Sequence, residues 1–182
     1  MIRHENEGGG HTGTVAAPRS AGLLLHRMGD DGIEVMLVHP GGPVWATRDD
    51  GAWSIPKGEY AAGDDPAAAA EREFEEELGR RAPPGPRTDL GEVRQAGGKR
   101  VRAWAVRGDF DTASVISNPV EMQWPPRSGR WLQFPEVDRA AWFPLAEARR
   151  KLLAGQLPLL ERLADAVGAG SSGDAECGGG GS

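Results

Sequence analysis

Apolar and polar positions alternate along the chain in blocks that change period. Ala21 to His26 and Ile33 to His39 are apolar, partly β-branched runs separated by Gly29-Asp30-Asp31-Gly32, which predicts a hairpin of core strands. Trp45 to Trp53 reads as a polar loop leading into Trp53-Ser54-Ile55-Pro56. Pro66 to Leu78 predicts a helix: Asp64 and Asp65 are candidate caps, Pro66 suits the first turn, alanines follow and Gly79 supplies a stop. Leu90 to Val93 and Val101 to Val106 bracket the turn at 95–98 and predict a second hairpin. Pro119 to Pro135, rich in proline and tryptophan, reads as one long loop. A short strand around Trp142-Phe143 follows, then helical spacing over Leu145 to Leu153 and Leu159 to Val167. Strands and helices thus alternate, which predicts an α/β or α+β class.

Composition sets the limits of that domain. Residues 1–18 and 168–182 mix glycine, charge and small polar residues without hydrophobic periodicity, so both are expected to be disordered tails flanking one domain over 19–167. The terminal Gly-Gly-Gly-Gly-Ser resembles an expression linker and is left out of functional reasoning. With 38% hydrophobic and 26% charged residues the chain has the make-up of a soluble globular protein, and no apolar run approaches the roughly 18 residues of a membrane span. The N-terminus does not read as a secretory signal, and the single cysteine, Cys177, points to a reducing compartment, with the cytoplasm as the expectation. A net charge of -6 argues against a nucleic-acid-coating protein. It is compatible with a small-molecule polyphosphate substrate, because metal ions neutralise enzyme carboxylates and phosphates together.

The chemistry concentrates on the predicted helix. Glu73, Glu76 and Glu77 stand at i, i+3 and i+4 and project from one face, beside an apolar face of Ala67, Ala70, Phe74 and Leu78. Each like-charge pair at such spacing costs an isolated helix roughly 0.2–0.5 kcal/mol, so a cationic partner is expected. An oxygen-only donor set suits Mg²⁺ or Mn²⁺ better than zinc. The alternative is a solvated acidic face stabilised by Arg72 and Arg80.

Read from Gly58, the segment GEYAAGDDPAAAAEREFEEELGR resembles the box of the Nudix hydrolase family. Gly58, Arg72, Glu73, Glu76, Glu77 and Gly79 match, while Asp64 replaces the usual Glu and Arg80 the usual aliphatic residue. The resemblance implies an α/β/α sandwich around a central mixed β-sheet and a metal-dependent hydrolase that cleaves a diphosphate linkage in a nucleotide-like substrate. It implies metal ligation by Glu73, Glu76 and Glu77 with the Gly58 carbonyl, and an Arg72 that orients a neighbouring glutamate. The general base falls to Glu73 or to a distant loop carboxylate, for which Glu136 resembles the family position, with Asp138 close behind. The lead-in Trp53-Ser-Ile-Pro-Lys57-Gly58 resembles that of Nudix enzymes acting on diadenosine polyphosphates and inositol pyrophosphates, so Lys57 is a phosphate contact, a neutraliser of the acidic helix, or both. Trp124, Arg127 and Arg130, in the 123–131 loop, either stack a base and hold phosphate or pack the loop on the sheet. Dinucleoside polyphosphates are the favoured substrates; oxidised deoxynucleoside triphosphates, ADP-ribose and a non-catalytic nucleotide-binding module remain as alternatives.

Overall fold

A computed structural model describes residues 17–172 of the chain. Arg19–Gly29 forms β1 and Gly32–Pro40 forms β2, and the two pair as the expected hairpin, but only over His26↔Val35 to Gly29↔Gly32. Beyond that point they diverge. The first residues of β1 pair instead with β3 (Lys57–Glu59), matching Ala21 to Gly58 and Gly22 to Lys57. Further along the chain come helix α1 (Pro66–Leu78) and the antiparallel pair β4 (Arg87–Arg94) and β5 (Arg100–Arg107). β5 runs parallel to β1. After them come β6 (Pro119–Gln123), β7 (Trp131–Pro135), β8 (Val137–Pro144), α2 (Leu145–Lys151) and α3 (Leu157–Ser172). The central sheet is mixed, in the order β4-β5-β1-β2-β8, with β3 attached to β1.

The two-residue period of the strands sorts the core onto both faces. Ala21, Leu23 and Leu25 of β1, with Met36 and Val38 of β2, pack against Ala69, Ala70, Phe74 and Leu78 of α1. Leu24, Val35 and Leu37 face the other way, onto Leu152 after α2 and Leu159, Leu160 and Leu163 of α3. The result is the expected α/β/α arrangement.

Helix α1 has the expected bounds, and of its two candidate caps Asp65 does the capping: its side chain accepts the Ala67 N–H at 3.1 Å. Asp64 accepts the Ala61 N–H at 3.0 Å and closes the preceding turn instead. Gly79 ends the helix with φ 74°, a left-handed conformation suited to glycine. Asp65→Ala should lower stability by about 1 kcal/mol in denaturant melts, whereas Asp64→Ala leaves the cap intact.

Three segments differ from the sequence reading. The stretch 119–135 is not one long loop but a hairpin, β6 paired antiparallel to β7 from Pro119↔Pro135 to Gln123↔Trp131. Pro119 and Pro135 sit at the strand ends and Pro125 and Pro126 in the turn, so none removes a donor from the ladder's interior. β8 is longer than the short strand expected around 142–143; as an edge strand it carries Asp138 and Arg139, which masked its apolar pattern. α3 continues to Ser172, past the boundary set at 167. Residues 1–16 and 173–182, including Cys177, lie outside the described residues. No helix among the described residues is long and apolar enough to cross a membrane.

Candidate active site

The divergence of β2 from β1 lets the chain entering β3 run beneath α1, and a buried amide side chain fixes that entry. Gln156 Oε1 accepts the Ile55 N–H at 3.0 Å while its Nε2 donates to Ser54 Oγ at 3.0 Å. The Leu23 N–H then donates to Pro56 O at 3.1 Å, which places Lys57 and Gly58 directly under the acidic face.

Glu73, Glu76 and Glu77 project together but in unequal surroundings. Glu77 is buried, at 8% exposure, and its Oε2 accepts the Lys57 backbone N–H at 3.1 Å. Desolvation pushes its carboxyl up to about 8, with Glu136 and Glu73 adding repulsion; the Lys57 ammonium and backbone N–H pull the other way. The Lys57 ammonium is itself pushed down by burial, opposed chiefly by Glu77. Glu73 is 15% exposed at its side chain and accepts from Arg72 Nη2 at 2.8 Å. Glu76 is half-exposed, with Arg72 Nε at 3.7 Å.

Gly58 explains itself by contact. A Cβ there would overlap the Glu73 carboxylate, so only glycine lets the acid lie flat on the β3 backbone. Gly58→Ala displaces the flexible end of Glu73 rather than the core. Its expected signature is a loss of turnover on the order of 10²-fold with the melting temperature little changed.

The donor chemistry fits a hard divalent cation: carboxylate oxygens with a peptide carbonyl nearby, one acid held in apolar surroundings at energetic cost, and Lys57 as the cation facing it. As placed, Arg72 pairs with Glu73 and Glu76 while the Lys57 N–H binds Glu77, and among the described residues no three His, Cys, Asp or Glu side chains converge on one point.

Glu136 lies between β7 and β8, close enough to raise the Glu77 carboxyl and support the Lys57 charge. Its backbone is held at both ends, donating to Asn118 O at 2.9 Å and accepting the Gly41 N–H at 2.9 Å. Asp138 points elsewhere: it pairs with His39 Nδ1 at 2.8 Å, and His39 Nε2 lies 2.9 Å from Arg48 O. Trp124, Arg127 and Arg130 occupy the β6–β7 turn, where the Trp124 N–H donates to Arg130 O at 2.9 Å. None of these three lines the pocket beside Glu136. That pocket, about 250 Å³, opens between the Pro40–Trp45 loop and the stem of the hairpin. Arg80 is exposed and follows the helix without touching the acidic face.

Sequence reasoning missed Gln156 and the hairpin stem. The stem lay inside the stretch read as irregular, and only the Pro-free runs 120–123 and 131–134 signalled strands there.

A family model described as the NUDIX domain matches residues 17–163, and the chain belongs to this family. The RNA pyrophosphohydrolase of Rhodospirillum rubrum is 41% identical over 71 residues, covering 37% of this chain and 41% of that protein. The chain thus spans less than half the length of that curated relative. Among solved structures, a Caenorhabditis elegans Ap4A hydrolase in a binary complex aligns with a TM-score of 0.55 at 22% identity, covering 84% of this chain and 99% of that one. The NUDIX domain of Shewanella oneidensis NrtR complexed with ADP ribose aligns with a TM-score of 0.55 at 16% identity, over 84% and 89% of the two chains. At these identities the two structures show the shared α+β fold.

Proposed function

We propose that this chain is a divalent-metal-dependent pyrophosphohydrolase that cleaves a diphosphate linkage in a nucleotide, with dinucleoside polyphosphates as the favoured class. The observation that carries the reading is the buried Glu77 side chain, bound to the Lys57 N–H over the Lys57-Gly58 strand of a Nudix box, with the Glu73 carboxylate packed on Gly58 beside it. A buried acid is disfavoured by desolvation, and a bound cation would relieve that cost.

Glu73, Glu76 and Glu77, with the Gly58 carbonyl, are the residues that would hold Mg²⁺ or Mn²⁺, and a bound ion would supply charge neutralisation for the diphosphate and acidify the attacking water. The protein's own groups supply the rest. Glu73, oriented by Arg72, takes the proton as water adds to phosphorus and the bridging P–O bond breaks; Glu136 is the other carboxylate placed for that role. Lys57 brings its ammonium to the phosphates. The Trp53-x-x-Pro56-Lys57-Gly58 lead-in supports the dinucleoside polyphosphate class, and the single cysteine supports a reducing compartment such as the cytoplasm.

The test is a substrate panel with Mg²⁺ or Mn²⁺: diadenosine tetraphosphate, ADP-ribose, 8-oxo-dGTP, an inositol pyrophosphate and a 5′-triphosphorylated RNA, the last because the Rhodospirillum relative is an RNA pyrophosphohydrolase. Wild type should release product from at least one, with the dinucleotide fastest. Equal behaviour of wild type and Glu76→Gln across the panel removes the reading.

A further inference from the structure

His39 is a buried polar side chain near the end of β2 that the proposed chemistry leaves unused, and both of its ring nitrogens face acceptors. Nδ1 lies 2.8 Å from Asp138 Oδ1, and Nε2 lies 2.9 Å from the Arg48 carbonyl oxygen. A neutral imidazole donates through one nitrogen only and would set the lone pair of the other against an oxygen at that distance. Both contacts are hydrogen bonds when the ring carries two N–H groups, as an imidazolium. Asp138 supplies the countercharge. The other charged groups around the ring are already paired: Arg139 Nε is 3.4 Å from the same Asp138 oxygen, and Asp49, which accepts from Trp53 Nε1 beside the ring, pairs with Lys151.

The two partners of His39 lie on the two segments that meet at Glu136. β2 and β8 pair in register from Glu34↔Pro144 to His39↔Arg139, and then Pro40 pairs with Val137, so Asp138 is one extra residue, a bulge in β8. The extra residue turns the strand over. Ala141 and Phe143 pack on the α3 side of the sheet, whereas Val137, which unbroken alternation would put with them, packs on the α1 side. Glu136, the neighbour of Val137, takes its direction from the same bulge. Its carbonyl accepts from the Gly41 N–H, and a Cβ on Gly41 would overlap the Pro135 carbonyl, so the loop after β2 lies directly on this backbone. His39 thus grips the bulge residue with one nitrogen and the far end of that loop, at Arg48, with the other.

We infer that His39 is a positioning residue which, protonated at both ring nitrogens, staples the 41–48 loop to the β8 bulge and so holds Glu136 beside the acidic site. Its effect on turnover rests on the nucleotide-hydrolase reading above, whereas the staple itself does not.

The test begins with ring ¹⁵N NMR of the full chain at neutral pH, the His39 signals being those that vanish in His39→Gln. Wild type should show two protonated nitrogens on this ring; Asp138→Asn, whose amide can donate to Nδ1, should show one. His39→Gln keeps a donor for the Arg48 carbonyl and loses the contact with Asp138, so amide exchange at Gly41 and Glu136 should quicken on the order of tenfold or more while α1 is unchanged. Asp138→Ala, at a partly exposed side chain, gives the same readout if His39→Gln does not fold. With a substrate from the panel, Asp138→Ala should lower kcat on the order of 10–10²-fold with KM little changed, and Asp138→Asn should recover most of that loss. The loss should vanish in a Glu136→Gln background. A singly protonated wild-type ring, unchanged exchange at Gly41 and Glu136, or a kcat loss that adds in full to that of Glu136→Gln overturns the proposal. Hydrolysis of no panel member, with the ring and exchange results as expected, removes the enzyme reading and leaves the staple; hydrolysis with a singly protonated ring does the reverse.

Discussion

Glu77→Gln is expected to move activity and stability in opposite directions. Turnover should fall by on the order of 10²–10⁴-fold, because the proposed metal site loses one of its three carboxylates to a neutral amide. The metal-free protein should become more stable, because the substitution keeps the acceptor for the Lys57 N–H and removes a charge that burial disfavours. The sign follows from linkage. The folded-state carboxyl is raised to about 8 from an ordinary 4.5, so the wild-type group weighs against folding increasingly as pH rises from 4.5 through 8. The gain in Glu77→Gln should therefore be small near pH 5 and reach a few kcal/mol above pH 8 in chelator-treated protein. Thermal melts at the two pH values check it. A variant destabilised equally at both pH values would mean that Glu77 is a structural acid.

Phe74→Ala should produce the largest loss of stability, about 3–5 kcal/mol. Phe74 is fully buried on α1 and meets Phe110 edge to face, with centroids 5.6 Å apart and planes at 88°. The same helix turn carries Glu73, so the cavity loosens the acid against Gly58 as well as the core. Urea melts should show the lower midpoint, and activity measured well inside the folded range should still be reduced. Loss of stability with full activity would separate the core from the site.

The sequence carried the acidic face of α1 further than the β6–β7 hairpin, for physical reasons. α1 announced itself through Asp65, Pro66, the alanines and Gly79, because capping and helix propensity are local. The spacing of Glu73, Glu76 and Glu77 put them on one face without any tertiary knowledge. The parallel pairing of β1 with β5 and the shift of β1 from β2 to β3 are long-range choices, and no local pattern encodes them. The β6–β7 hairpin was hidden because proline and tryptophan counts over 119–135 outweighed two short runs free of proline. With it went the stem that walls the pocket beside Glu136. Gln156, fixing the entry to Lys57 from about a hundred residues along the chain, is a tertiary contact of the same kind.

The central claim, that the acidic face of α1 drives metal-dependent cleavage of a diphosphate, is tested most directly by one assay. Wild type and Glu76→Gln are incubated with the nucleotide panel, each with Mg²⁺ or Mn²⁺ and with excess EDTA, and the products are separated. Metal-dependent product from the wild type, lost in EDTA and reduced by on the order of 10²-fold or more in the variant, is the predicted result. Nucleotide binding without turnover in any metal, or equal turnover by both proteins in EDTA, would contradict it.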